Sequence, residues 1–333
     1  MRRWISERLD DAMLPLLKLA SPGYRGRLAP YRAAEPCDLC DLDHIRPPED
    51  VAVFDEPAWR GYRVQGYCYP SPVDCRREEN NAVHGRLIIV DEAAPWALVV
   101  PGYATGAFPP KGYSLFQDVQ GLALLEQSIN VALIDLPFHL KRKQRGQLSG
   151  EGFFSPDLGE TQTAVRQATA DAISLVRWLE QRSGRPVGLW GTSLGGCIAG
   201  LVAARVASLA GVVLMEPLDN PGSVLAALPG TWEIRELLVP HGVEAEHLEE
   251  AFKSVAPSSY PPAVPRERIL FVTPLWDRVV PTRFQEAFWE AWGKPERILW
   301  KAGHITMATN RALNTQASQF LSRWILNRSN RSL

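Results

Sequence analysis

The stretch Gly188-Leu189-Trp190-Gly191-Thr192-Ser193-Leu194-Gly195-Gly196 constrains this chain more than any other. It sets a G-x-S-x-G pentapeptide, Gly191 to Gly195, between a short apolar run and a small-residue run. Pro186 to Trp190 reads as a buried strand, and Cys197 to Ala204 as the body of a helix. A strand that passes into a helix through so few residues forces the two backbones together. Glycine is the residue with no Cβ to obstruct that approach. The serine between the glycines is expected to take a strained turn that lifts its hydroxyl clear of the sheet, where it can act as a nucleophile.

The same alternation repeats on both sides. Residues 86–90, 96–100, 130–135, 211–215, 269–273 and 297–300 read as strands, and 115–128, 159–183 and 311–327 as helices. The long central helix shows its apolar face in Val165, Ala168, Ala172, Leu175 and Leu179. Short apolar strands alternating with helices predict an α/β fold: a doubly wound, mostly parallel sheet with helices on both faces. The catalytic domain is expected to span 84–330, interrupted by a polar and proline-rich insertion at 218–265. Residues 1–83 are expected to be an extension packed on that core. It opens with an amphipathic helix over 4–20, with Ile5, Leu9, Met13, Leu16, Leu17 and Ala20 on one face and Glu7, Asp10 and Asp11 opposite. Residues 21–80 read as irregular, with a strand at 62–69.

A net charge of −1 argues against general attraction to nucleic acid or to an anionic membrane. The sequence holds no run of about 18 uncharged apolar residues, so no transmembrane helix is expected. Glu7, Asp10 and Asp11 interrupt any signal-peptide core, so a cytoplasmic location is the default expectation. Cys37-x2-Cys40, with Cys68 and Cys75, could supply four thiolates to a structural zinc. The second pair is spaced more widely than the usual knuckle, and reduced thiols with neither metal nor cofactor are the expected state. Cys197, following the pentapeptide, is expected in the core.

A serine hydroxyl is a weak nucleophile until an adjacent base takes its proton, and that base needs an acid to orient it. In doubly wound sheets the site lies at the carboxyl ends of the strands. Pro101-Gly102-Tyr103, Ser193, Asp277 and His304 each follow a predicted strand. His304 is therefore the expected base, titrating at about 6–7.5 around its reference value. Asp277 is the expected acid, with Glu216 at the end of strand 211–215 as the rival. The oxyanion donors are expected at the N–H of Leu194 and at Tyr103 or Gly102.

With these residues in order, the chain resembles the α/β-hydrolase superfamily over about 84–330. Gly191 to Gly195 resembles its nucleophile elbow, Asp277-Arg278-Val279-Val280-Pro281 its acid loop, and Gly303-His304 its histidine loop. The resemblance implies an eight-stranded, mostly parallel sheet and acyl-transfer chemistry, with insertion 218–265 where many members carry a cap. Pro101-Gly102 stands in place of the more frequent His-Gly, and the usual Asp-x-x-Gly turn after strand 130–135 is absent. The basic loop there and Gly303-His304-Ile305-Thr306 resemble the α/β-hydrolase-domain-containing protein 18 type.

Arg142 and Arg145 are candidates to meet a carboxylate or phosphate of the substrate. In the insertion, Trp232, Leu237, Leu238 and Phe252 are expected to line an apolar cleft, with Trp232 and Leu238 contacting substrate. The expected activity is hydrolysis of a small-molecule carboxylic ester through an acyl-enzyme. Peptidase, thioesterase and acyltransferase activities use the same constellation, and a non-catalytic binding protein on this fold is the rival class.

Overall fold

The apolar segments become strands buried on both faces, which requires ladder partners on each side and helices above and below. The computed structural model describes residues 3–19, 30–34, 37, 39–107, 115–227 and 232–329. Its strands are β1 (Ala52–Trp59), β2 (Tyr62–Pro70), β3 (Ala82–Ile89), β4 (Trp96–Val100), β5 (Asn130–Ile134), β6 (Gly188–Thr192), β7 (Gly211–Met215), β8 (Ile269–Pro274) and β9 (Glu296–Trp300). Its helices are α1 (Arg3–Leu19), α2 (Leu115–Leu125), α3 (Leu158–Ser183), α4 (Leu194–Ala203), α5 (Pro221–Ala227), α6 (Trp232–Leu238), α7 (Ala245–Ala251), α8 (Thr282–Ala291), α9 (His304–Ala308) and α10 (Arg311–Ser329). The strands form one nine-stranded sheet in the order β1-β2-β3-β5-β4-β6-β7-β8-β9. β1, β2, β3 and β5 pair antiparallel, and from β5 to β9 every pairing is parallel.

Successive residues of a strand point to opposite faces, and β6 shows the consequence. Leu189 joins the core beneath α3 and α4, whereas Trp190 joins the core beneath α2 and α10. Each fully buried large side chain of this kind contributes roughly 1.5–3 kcal/mol relative to exposure. The sheet is thus doubly wound and mostly parallel, as the alternation of segments predicts. Among the described residues no helix is long and apolar enough to cross a membrane.

Two features differ from the sequence reading. Part of the stretch read as irregular is β1, which adds an antiparallel edge strand. β1 is largely exposed, carries Pro57 and shifts register between Glu56 and Trp59. An edge strand with one solvated face and a proline lacks the apolar pattern that betrays a central one.

The second difference concerns Arg142, which is fully buried rather than presented to a substrate. It forms an ion pair with Asp171 at 2.7 Å, and its Nη1 donates to the Asp135 carbonyl at 2.9 Å. Its Nη2 donates to the Asn80 carbonyl. Ser71 Oγ donates to the same aspartate at 2.6 Å. Arg142 therefore ties the loop after β5 to α3 and to the turn before β3, whereas Arg145 is exposed. Truncating one member of a buried pair leaves the other charge uncompensated, at a cost of about 3–5 kcal/mol. Arg142→Ala is accordingly expected to lower the thermal unfolding midpoint sharply. A variant of unchanged stability would show that the pair does not hold this loop.

Candidate active site

The elbow is built by steric exclusion. Ser193, between β6 and α4, has φ 56 and ψ −118, a conformation that an L-residue holds only when its surroundings impose it. A Cβ on Gly191 would lie 2.2 Å from the Gly195 carbonyl oxygen, and one on Gly195 would lie 2.1 Å from that of Val100. Neither glycine has a substitute. Leu194 opens α4, so its N–H belongs to the first turn, whose donors have no intrahelical partner. These donors and the positive end of the helix dipole favour developing negative charge beside Ser193.

The loop after β4 lies against the serine, with the position of a Gly102 Cβ 3.4 Å from that of Ser193. A buried histidine that the sequence reading did not single out supports this loop. His139 Nε2 accepts from the Ala104 N–H at 3.0 Å, and its Nδ1 donates to the Pro137 carbonyl at 2.7 Å. Burial pushes its pKa down to about 4, so the imidazole stays neutral and keeps one acceptor nitrogen. Ala104 sits at φ 57, Thr105 Oγ1 donates to the Gly102 carbonyl at 2.8 Å, and Tyr103 packs edge-on against Phe154 and His139. The sequence sign of this support is a histidine two residues beyond the proline that follows strand 130–135.

Opposite the serine, β8 and β9 deliver the other two groups. His304 Nδ1 donates to Asp277 Oδ2 at 2.8 Å. The Asp277 carboxylate also accepts from the Val279 and Val280 N–H groups at 2.8 and 2.7 Å and from Gln285 Nε2 at 3.0 Å. Gln285, buried on α8, is a second support that the sequence reading missed. Glu216 approaches the same nitrogen at 3.7 Å. It is fully buried, sits at φ 41, and neither of its carboxyl oxygens has a hydrogen-bond partner among the described residues. Burial pushes the Glu216 pKa well up; the neighbouring imidazole works the other way, and the negative charge of Asp277 adds to the rise.

Burial alone would lower the His304 pKa, but the charges of Asp277, Glu216 and Asp10 outweigh it and push the value up to about 10. This departs from the ordinary 6–7.5 range expected from the sequence.

Ser193, His304, Glu216, Gly102, Tyr103 and Leu194 line one cavity of about 100 Å³. Its apolar wall comes from Met13, Phe154, Val279 and Val280, and from Leu218 and Val224 at the start of the insertion. Leu238 is buried in the core, and Phe252 likewise, whereas Leu237 is exposed. None of these three lines the cavity, and the side chain of Trp232 lies outside the described residues. Neither Arg142 nor Arg145 reaches the cavity.

Among the described residues, the group of side chains with metal-holding geometry is Glu216, Asp277 and His304, whose ligand atoms lie within 4.8 Å of one another. The four cysteines considered for zinc form no such group among those residues. Cys75 Sγ donates to the Arg77 carbonyl, Cys68 Sγ lies 3.9 Å from His84 Nε2, and Cys197 is in the core.

No protein-family profile matches the chain. It is 28% identical over 232 residues to the uncharacterised protein Rv2627c of Mycobacterium tuberculosis, covering 68% of this chain and 53% of that protein. A shorter match, 29% identical over 82 residues, is to the uncharacterised protein YdjC of Bacillus subtilis, covering 25% of this chain and 70% of that one. The chain spans about half the length of the mycobacterial relative. Among solved structures it is similar to acetyl xylan esterase 1 from Thermoanaerobacterium, with TM-score 0.61 and 18% identity over 88% of this chain and 96% of that one. It is also similar to a puromycin-hydrolysing peptidase of Mycobacterium tuberculosis, with TM-score 0.52 and 16% identity over 83% of this chain and 39% of that one. The chain has the α/β-hydrolase fold.

The two carboxylates near His304 are separable. Asp277 is hydrogen-bonded to the imidazole at 2.8 Å, whereas Glu216 stands 3.7 Å from the same nitrogen. Asp277→Asn is expected to lower the imidazole pKa by about 1–3 units, the scale of one opposite charge in contact, and Glu216→Gln by less. NMR titration of the His304 ring reads both, and the reverse ranking would make Glu216 the principal partner.

Proposed function

We propose that this chain is a serine hydrolase that cleaves carboxylic esters through an acyl-enzyme. The observation that carries the reading is a serine held at positive φ on a strand–helix turn, sharing its cavity with an imidazole bonded to Asp277 at 2.8 Å. Nδ1 of His304 is engaged by the acid, which leaves Nε2 to take the Ser193 proton. Ser193 Oγ then adds to the ester carbonyl, and the N–H groups of Leu194 and Tyr103 stabilise the oxyanion. Collapse expels the alcohol, which receives the proton from His304. Water then repeats the sequence on the acyl-enzyme and releases the acid.

The small, largely apolar cavity favours a compact acyl group over an extended peptide. The fold, shared with both esterases and peptidases, is compatible with either chemistry. Residues 218–265 act as a cap over the core of 84–330 in this reading, and 1–83 as its extension. Leu218 and Val224 face the acyl group, and a closed cap would exclude water and strengthen the oxyanion contacts.

Ser193→Ala is expected to lower kcat on p-nitrophenyl acetate by about 10⁴-fold or more and to abolish fluorophosphonate labelling; near-normal turnover would end the serine mechanism. The pH dependence has a definite sign. Only the neutral imidazole accepts the serine proton, and the surrounding carboxylates favour the charged form. kcat/KM should therefore rise with pH through a midpoint above about 7.5, higher than the ordinary histidine value of about 6.5. A midpoint at 6.5 or below would remove the carboxylates from control of the base.

A further inference from the structure

The acid and the base of the site stand on loops after different strands, and one buried carboxylate from the other end of the chain bonds to both. Asp10 Oδ2 accepts from the Arg278 N–H at 3.1 Å, next to Asp277 in the chain, and from the His304 N–H at 2.9 Å. Its Oδ1 accepts from the Ile305 N–H at 3.1 Å. The residue has no exposure at all. Helical periodicity predicts Asp10 on the solvent face of α1 and Leu9 on the packed one, whereas Asp10 is buried and Leu9 is exposed.

Gly303 makes room for this contact, because a Cβ there would meet Asp10 Oδ2 at 2.6 Å. Two more contacts seat α1 on the same loops: Asp11 pairs with Arg278 at 2.8 Å, and Thr306 Oγ1 bonds with Ser6 Oγ at 3.3 Å. Met13, one turn further along α1, reaches the cavity wall.

A buried carboxylate is costly unless donors compensate it; here three backbone N–H groups and the nearby imidazole offset part of that cost, and burial still leaves the Asp10 pKa above the ordinary carboxylate value. Two of these N–H groups open α9, where a carboxylate satisfies donors that the helix cannot. The same negative charge offsets the unfavourable placing of an imidazolium at the positive end of a helix.

We infer that Asp10 is a positioning residue that holds the Asp277 and His304 loops in register, so that the site is complete only with α1 docked. This inference rests on the serine-hydrolase reading for its kinetic consequences but not for its structural ones. The charged or titratable groups facing His304 are Asp277 after β8, Glu216 after β7 and Asp10 from α1. Removing Asp10 takes one negative charge from the imidazole, which lowers its pKa and moves the acid limb of kcat/KM to lower pH.

The test uses the full chain with Asp10→Ala, the near-isosteric Asp10→Asn and, as control, Arg8→Gln at an exposed position of the same helix. The readouts are kcat and KM on p-nitrophenyl acetate, the pH profile, and NMR titration of the His304 ring. Asp10→Ala is expected to lower kcat on the order of 10²-fold, the effect of a small misplacement of catalytic groups, with KM changed less than about twofold. Asp10→Asn, which keeps one acceptor oxygen, should recover part of kcat and still titrate His304 at lower pH. Arg8→Gln should match the parent. If Asp10→Ala does not fold, the Asn variant carries the test through its pH profile and ring titration. Unchanged kcat, or a loss of activity with an unshifted acid limb and ring titration in Asp10→Asn, would overturn the inference. Failure of fluorophosphonate to label Ser193 in the parent would refute the hydrolase reading instead, and the ring titration would still decide the role of Asp10.

Discussion

Ser193 stands in a backbone conformation that costs of order 1–3 kcal/mol, and much of the surrounding structure is what makes that conformation unavoidable. The Ser193 N–H donates to the Met215 carbonyl at 3.0 Å, and its own carbonyl accepts from Gly196, Cys197 and Leu218. With Gly191 and Gly195 pressed against neighbouring backbone, the turn has no room to relax. β4, β6 and β7 must therefore keep their parallel register, because each supplies backbone to this one turn. The sheet is the instrument that stores the strain, and the helices on its two faces keep the sheet rigid.

The second constraint is electrostatic. His304 lies buried among Asp277, Glu216 and Asp10, which favour the imidazolium strongly enough to overcome desolvation. In the proposed acyl transfer such an arrangement would stabilise the protonated state of the base at the expense of its readiness at neutral pH. Glu216 is held less firmly than Asp277: it is fully buried, and neither of its carboxyl oxygens has a hydrogen-bond partner among the described residues. Asp277, anchored by two backbone N–H groups and Gln285, is the carboxylate held fixed against the ring, as the proposed orienting role requires.

What the amino-acid sequence revealed follows from the range of each interaction. The elbow, the acid loop and the histidine loop are local: each couples an apolar strand to the residues directly after it, and periodicity with glycine placement exposes them. His139, Gln285 and Asp10 support the site from positions fixed only by the tertiary fold, and Asp10 meets Ile305 across 295 residues of chain. On a helical wheel an aspartate reads as solvent-facing, and no local pattern distinguishes one destined to receive three backbone donors. Arg142 departs from the sequence expectation for the mirror-image reason. A charged residue in a basic loop is ordinarily exposed, and its partner Asp171 lies on the helix face otherwise read as core. β1 escaped notice because an exposed edge strand has no buried face to impose a period.

The central claim is that Ser193 becomes covalently acylated, and it is tested most directly by trapping that species. Acid quenching of the protein during turnover of p-nitrophenyl acetate, followed by intact and peptide mass spectrometry, is expected to show one acetyl group carried by the peptide that contains Ser193. The adduct should be absent from Ser193→Ala and should accumulate below the pH at which His304 loses its proton, where deacylation slows. Turnover with no covalent species at any pH, or an acetyl group on another residue that chases into product, would contradict the account.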